Sequence, residues 1–429
     1  VAADRNVALG YRSLYTMSRS STADTYNVGC GNETLYSLTT GAFNTAIGGK
    51  AAYTSTTADN NTAVGYVALY TNEAGSNNTA LGHQALYANT ASANTAVGQG
   101  ALYANTTGTP NTAVGYEALK ANTTGVNNTA VGRRALYTNT TAEANVAIGV
   151  NALATNNGSY NTAVGTGCLE ANTGGTRNTA MGYVALDANK TGSYNTAVGH
   201  YALTSNTTAS YNTAVGDRAL DSNVGGHRNT AVGYKALEDT GDNNDNTAVG
   251  YQALDDCASA ANTAVGANAL GLMTTGASNT AVGYNALGDG TVTGNNNVAV
   301  GHQALEVVTS GATNTGLGQG AGKNLTTGSN NIFIGYDSGT SASPAHQTTG
   351  SNIVVIGDNN ITHSYIKVDW TVTSDGRDKT DIEPFNHGLS WINKLNPVTY
   401  RWDNRSDYED GIPDGSKKGT QLNVGLIAQ

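Results

Sequence analysis

One five-residue string, NTAVG, recurs verbatim eleven times, and close variants carry the pattern from Asn6 to Asn352. Between Asn44 and Asn331, seventeen gaps separate one motif Asn from the next. Thirteen of them are 17 residues, three are 16 and one is 18. A fixed period of this size constrains the chain more than any other feature. Each repeat is too short to enclose a core, so it must stack on its neighbours as one coil of a solenoid.

The unit Asn61-Thr62-Ala63-Val64-Gly65-Tyr66-Val67-Ala68-Leu69 shows why the coil contains strand. Thr62 and Val64 fall on one side of an extended chain, and Ala63 falls on the other. Thr, Val and Ile suit strands, and the closing Gly marks a corner. Ala68-Leu69 supplies a second short edge. Segments such as Ala121-Asn122-Thr123-Thr124-Gly125 carry turn chemistry and absorb the length changes. A coil buries about two large side chains, worth roughly 1.5–3 kcal/mol each. Ordering each residue costs about 1–2 kcal/mol, so a lone coil cannot fold.

The Val64 column also holds Leu9, Ile47, Leu81, Ile148, Met181 and Val300, and the Thr62 column becomes Val at Val7, Val146 and Val298. This substitution pattern predicts that both columns look into the coil. The Ala63 column stays small, with Gly29 and Gly316 as its variants. It predicts a face pressed closely against other chains.

Only 12% of the 429 residues are charged, with 54 Gly and 5 Pro, a composition that without the period would read as disorder. The net charge of −10 argues against a nucleic-acid partner. No apolar run reaches membrane-spanning length, so no membrane span is expected. Cys30, Cys168 and Cys257 lie many coils apart and read as small apolar fillers, Cys257 within a loop. Val1 already lies inside a repeat, with no leader-like segment, so an upstream part is expected and this end gives no compartment.

Three domains are expected: a repetitive solenoid over 1–335, a β neck over 336–373, and a compositionally distinct domain over 374–429. Asn145-Val146-Ala147-Ile148-Gly149 and Asn297-Val298-Ala299-Val300-Gly301 carry a resemblance to the heads of trimeric autotransporter adhesins. That resemblance implies a left-handed parallel β-roll of three chains side by side, with the Ala turned toward the trimer interior. Ser374-Asp375-Gly376-Arg377-Asp378-Lys379-Thr380-Asp381-Ile382, Leu395-Asn396-Pro397-Val398-Thr399-Tyr400-Arg401-Trp402 and Val424-Gly425-Leu426-Ile427-Ala428-Gln429 form a second set. They are similar to the intramolecular chaperone domain of phage tail fibres and endosialidases. This resemblance implies a small α+β trimeric domain that cuts the chain at Thr373–Ser374, with Ser374 as nucleophile and Lys379 as base.

The fold class expected is therefore all-β, a parallel solenoid of about 17 residues per coil in a side-by-side homotrimer, with the chaperone domain following. A physical need supports that domain. Near-identical coils specify register weakly, and a non-repetitive trimeric block fixes three chains in phase. Tyr66, Tyr116, Tyr183 and Tyr234, each after a motif Gly, are receptor-binding candidates through ring stacking on sugars, or else cover coil corners. His83, His200 and His302 share that position and read either as surface residues or as three-His rings in a trimer. Glu238, Asp239, Asp242, Asp245, Asp255 and Asp256 read as a solvated acidic face or a Ca²⁺ site.

No cofactor is expected, and the one chemistry suggested is a single-turnover self-cleavage. The reading is a phage fibre carried on the virion and acting outside the cell. Its partners are two further copies, a host-surface glycan or protein, and other tail proteins. A cellular trimeric adhesin or surface filament, and a polysaccharide-degrading tailspike, stay open as alternatives.

Overall fold

The computed structural model describes residues 5–17, 24–365, 397–400 and 423–426. Within them there is no helix, and 21 short strands run from β1 (Val7–Leu9) to β21 (Val354–Ile356). Each pairs in parallel with the strand one coil before and one coil after, like residue on like: Thr196 on Thr213, Ala197 on Ala214, Val198 on Val215. One three-residue strand per coil, repeated at this spacing, makes the expected β-solenoid. The chain divides into two compact units, Val1–Thr362 and His363–Gln429. In the second, β22 (Pro397–Tyr400) pairs antiparallel with β23 (Asn423–Leu426). Within the β neck expected over 336–373, β21 is strand, 361–365 are not strand, and 366–373 lie outside the described residues.

The facing of the strand is the reverse of that expected. The Ala column is the buried one: Ala113, Ala130, Ala147, Ala163, Ala180 and Ala197 are fully enclosed. The Val column looks outward, with Ile148 41% and Met181 44% exposed, and the Thr column is likewise only partly covered. The coil is thin. Across its interior the strand meets the turn that carries Leu69 and its equivalents, all buried. A large Leu from one side leaves room only for a methyl from the other. Where Gly316 replaces the Ala, an added Cβ would stand 2.9 Å from Leu305 Cγ. One coil reverses the sizes. Phe333 fills the Ala position fully buried, and the two Leu positions beside it are Gly322 and Gly339. A Cβ there would lie 2.7 and 2.4 Å from the Phe333 ring. The interior therefore conserves volume rather than residue type.

Two columns of buried Asn line the rest of the interior. In the first, the motif Asn accepts the backbone N–H of the next coil's Asn on Oδ1, as Asn195 does from Asn212 at 3.0 Å. Its Nδ2 donates to a turn carbonyl, Asn195 to Ala209 O at 2.8 Å. The second column runs from Asn72 to Asn223, each Nδ2 donating to the preceding Oδ1, as Asn122 does to Asn105 at 2.8 Å. Thr240 Oγ1 closes it by donating to Asn223 Oδ1 at 3.2 Å. Beyond that cap the same interior position is Cys257, Met273, Val292, Val308 and Leu325, all buried. Cys257 thus sits in a loop, as expected, and its side chain fills the core there. Cys168 is likewise buried, in place of an Ala. The first column is kept because it satisfies a backbone donor. The second bonds its own members and turn carbonyls that the first column also serves, such as Gly192 O, and can be exchanged for apolar groups as a block.

The motif Gly has φ near +135°, as in Gly65 at +134°. A Cβ on Gly65 would stand 2.5 Å from the carbonyl oxygen of Gly82 in the next coil, so no other residue fits. In the turn, Val67 and Leu69 are left-handed, with φ of 52° and 53°, and nearly every coil repeats this. The twist aims Leu69 N–H at Ala85 O of the next coil and Val67 N–H at Gly49 O of the preceding one. Backbone bonds to the coils above and below hold these strained residues in place.

Candidate functional site

Because Ala and Leu face inward, the side chains available for function stand on the outer strand face and on the turn columns. The strand face carries Thr or Val in its first column and Val, Ile, Leu or Met in its third. Ile47, Leu81, Met181 and Leu317 are 42%, 46%, 44% and 48% exposed. No strand among β1–β21 carries a charged residue.

The turn columns stack their rings. Tyr15, Tyr36, Tyr53, Tyr70, Tyr87 and Tyr103 form a continuous parallel ladder with neighbouring centroids 5.0–5.2 Å apart. Within the ladder each face is spent on a neighbour, so the edges and hydroxyls are what solvent meets. The column after the motif Gly holds the residues singled out by sequence. His83 stacks on Tyr66 at 5.8 Å, His200 on Tyr183 at 5.5 Å and His302 on Tyr284 at 5.4 Å. Tyr234 stacks on Tyr251 at 5.4 Å. Tyr66, Tyr116, Tyr183 and Tyr234 are 56%, 42%, 50% and 42% exposed. The three His do not approach one another within the chain, being separated by several coils, and each instead pairs with a Tyr one coil away.

A third aromatic column, not anticipated from the sequence, precedes the motif Asn. The Arg177 guanidinium lies over Tyr160 at 5.3 Å and Tyr194 at 5.4 Å, and Tyr194 stacks on Tyr211 at 5.0 Å. The signal was present in the fixed offset of these residues from Asn161, Asn178, Asn195 and Asn212.

Charges sit on the turns. Lys120 Nζ lies 2.6 Å from Glu117 Oε1, and this bond holds the Glu117 carboxyl below its ordinary value, helped by Arg134 of the next coil at 2.9 Å. The acidic patch is partly neutralised: Arg228 clamps Asp245 at 2.6 and 2.9 Å, and Lys235 reaches Glu238 at 2.7 Å. Burial pushes the carboxyls of Asp187, Asp221 and Asp255 up. Among the described residues no group of three or more His, Cys, Asp or Glu is placed to hold a metal ion. A surface notch lined by Ser222, Asp239 and Met273 holds about 340 Å³, at the low end for a small-molecule site. Among the described residues no helix is long and apolar enough to cross a membrane.

Ser374 and Lys379 lie outside the described residues, and their geometry is not part of the structure. Their stretch is identified instead by comparison. Residues 374–429 match the family described as the chaperone of endosialidase. No curated protein and no solved structure matches the chain. The chaperone match implies assembly of three chains. Joined to a parallel solenoid of 17-residue coils, it fits a phage tail fibre of the endosialidase type.

Proposed function

We propose that the protein is a homotrimeric phage fibre whose solenoid presents its aromatic turn columns to a host-surface glycan or protein. The observation that carries this reading is the chaperone match at residues 374–429, directly after a repetitive solenoid that needs an external register. Such a rod persists by slow unfolding once assembled. The exposed rings of Tyr66, Tyr116, Tyr183 and Tyr234 support receptor contact, since each offers an apolar face beside a hydroxyl.

The C-terminal domain brings three chains into phase and then cuts itself away. Ser374 Oγ attacks the Thr373 carbonyl carbon while the Lys379 amine takes the hydroxyl proton. The Thr373–Ser374 C–N bond breaks, the proton passes to the leaving amine, and water hydrolyses the resulting ester. A Lys acts as such a base when desolvation lowers its pKa.

Intact mass and oligomer state, measured for the wild type and for Ser374→Ala, test the two parts separately. The expected outcome is a trimer in both, shortened by residues 374–429 only in the wild type. A stable wild-type monomer overturns the fibre reading. A wild-type trimer of full mass overturns the cleavage assignment alone.

A further inference from the structure

We infer that the outer strand face, the Thr62 and Val64 columns, is the surface on which three copies of this chain meet, in register. This rests on the trimeric reading above and specifies its contact.

The columns are half exposed yet free of charge from β1 to β21, whereas the flanking turn columns carry Arg133, Asp217, Arg177, Arg228 and Asp245. Their apolar groups take no part in the coil's own core, which is closed by Ala and Leu on the opposite side. Twenty-one strands at ~4.8 Å spacing, each about 10 Å long, make a stripe on the order of 1,000 Å². The largest apolar patch of a monomer is about 300–600 Å², and a stable partner contact uses about 800 Å² a side. The stripe's aliphatic third column alone, about half the area, is as large as the first figure, and the whole uncharged stripe meets the second. Its most apolar end, Ile332, Ile334, Val354 and Ile356, lies nearest in sequence to residues 374–429. A second copy of the chain is the occupant because the matched domain is one that assembles three chains, and each copy presents the same flat, uncharged face.

The stripe also carries register. The third column is Val through most of its length, with larger residues at Leu9, Ile47, Leu81, Ile148, Met181, Leu317, Ile334 and Ile356, at irregular intervals. Around a three-fold axis each meets its own kind only when the coils are level. A slip by one coil sets Leu81 against Val64 or Val97 and leaves voids and clashes along the rod.

Disulfide cross-linking of the full chain tests this. In a Cys30→Ser background, Val198→Cys places a thiol in mid-stripe, a substitution the column already tolerates at Cys30. Gln99→Cys, in the flanking turn column, is the control. Oxidation by a copper–phenanthroline complex takes one electron from each thiol and joins two sulfurs. A slip of two coils separates like residues by ~10 Å, beyond the reach of about 7 Å between bridged Cα atoms, so the test reads proximity and register to within one coil. The expected result is covalent dimers from V198C and none from Q99C. A second measurement uses V198D/V232D, which is expected to lower the temperature of trimer dissociation while leaving the far-ultraviolet dichroism unchanged. A trimer in which V198C does not cross-link, or in which V198D/V232D dissociates like the wild type, overturns this surface while leaving the trimer standing. A monomeric wild type overturns the trimeric reading itself.

Discussion

At the scale of single residues, the two Asn columns differ in what they hold. Asn195 Oδ1 accepts a backbone N–H that has no other partner, while Asn189 bonds chiefly to the side chains of Asn172 and Asn206 and to Gly192 O. Asn195→Leu is expected to cost about 1–3 kcal/mol by orphaning the Asn212 amide. Asn189→Leu takes the donor from Asn172 Oδ1 but orphans no backbone group, because Asn178 Nδ2 still serves Gly192 O and Asn206 Nδ2 keeps Ala209 O, and it is expected to cost less. Urea midpoints of the two variants check the order. Asp221 makes a prediction of opposite sign. Burial raises its carboxyl above the ordinary value of 3.8, so the wild type loses stability as pH rises from there through the raised value. Asp221→Asn is expected to stabilise the solenoid at pH 7, with the advantage vanishing below the ordinary carboxylate range. Thermal melts at pH 7 and pH 3 measure it.

At the scale of one coil, the exchange between the Ala and Leu columns is the informative device. Phe333→Ala removes a fully buried ring whose space is framed by Gly322 and Gly339. The expected loss is about 3–5 kcal/mol of local stability. Adding Gly322→Leu is expected to recover part of it, because Gly322 has φ of 64°, close to the 51° of Leu305 in the same column. Non-additivity of the two substitutions in a double-mutant cycle is the readout, and additive costs would refute the shared cavity. The coil also explains a misreading of the sequence. Alternation says that Thr62 and Val64 lie opposite Ala63, and the aliphatic pair looked like the core. The turn's Leu, five residues on, takes the interior and leaves the strand only its methyl face.

At the scale of the whole molecule, the solenoid behaves as a row of nearest-neighbour units. Deleting one full coil, residues 178–194, brings Asn195 onto Asn161 and reconnects every ladder. The shortened chain is expected to fold with an unchanged dichroism signature per residue. Deleting only 178–185 removes a strand but leaves its turn, and is expected to abolish folding of the rod. Soluble yield and dichroism distinguish the two, and equal behaviour would contradict a coil-by-coil core. The proposed receptor contact belongs to this scale too, since the exposed rings of Tyr66, Tyr183 and Tyr234 stand on coils several repeats apart.

The sequence by itself determined the period, the single strand per coil, the turn that takes up 16- and 18-residue variants, and the chaperone-like stretch from Ser374. These are local: each depends on residue types at fixed spacing. Only the tertiary structure decided which side of the strand is inside, because alternation defines two faces without naming either. That choice depends on the element across the coil, and the pairing of Ala with Leu, confirmed by Phe333 against Gly322 and Gly339, settles it by volume. The same contacts decided that the Asn residues form buried ladders and that the His residues stack on Tyr, since both need the neighbouring coil in place.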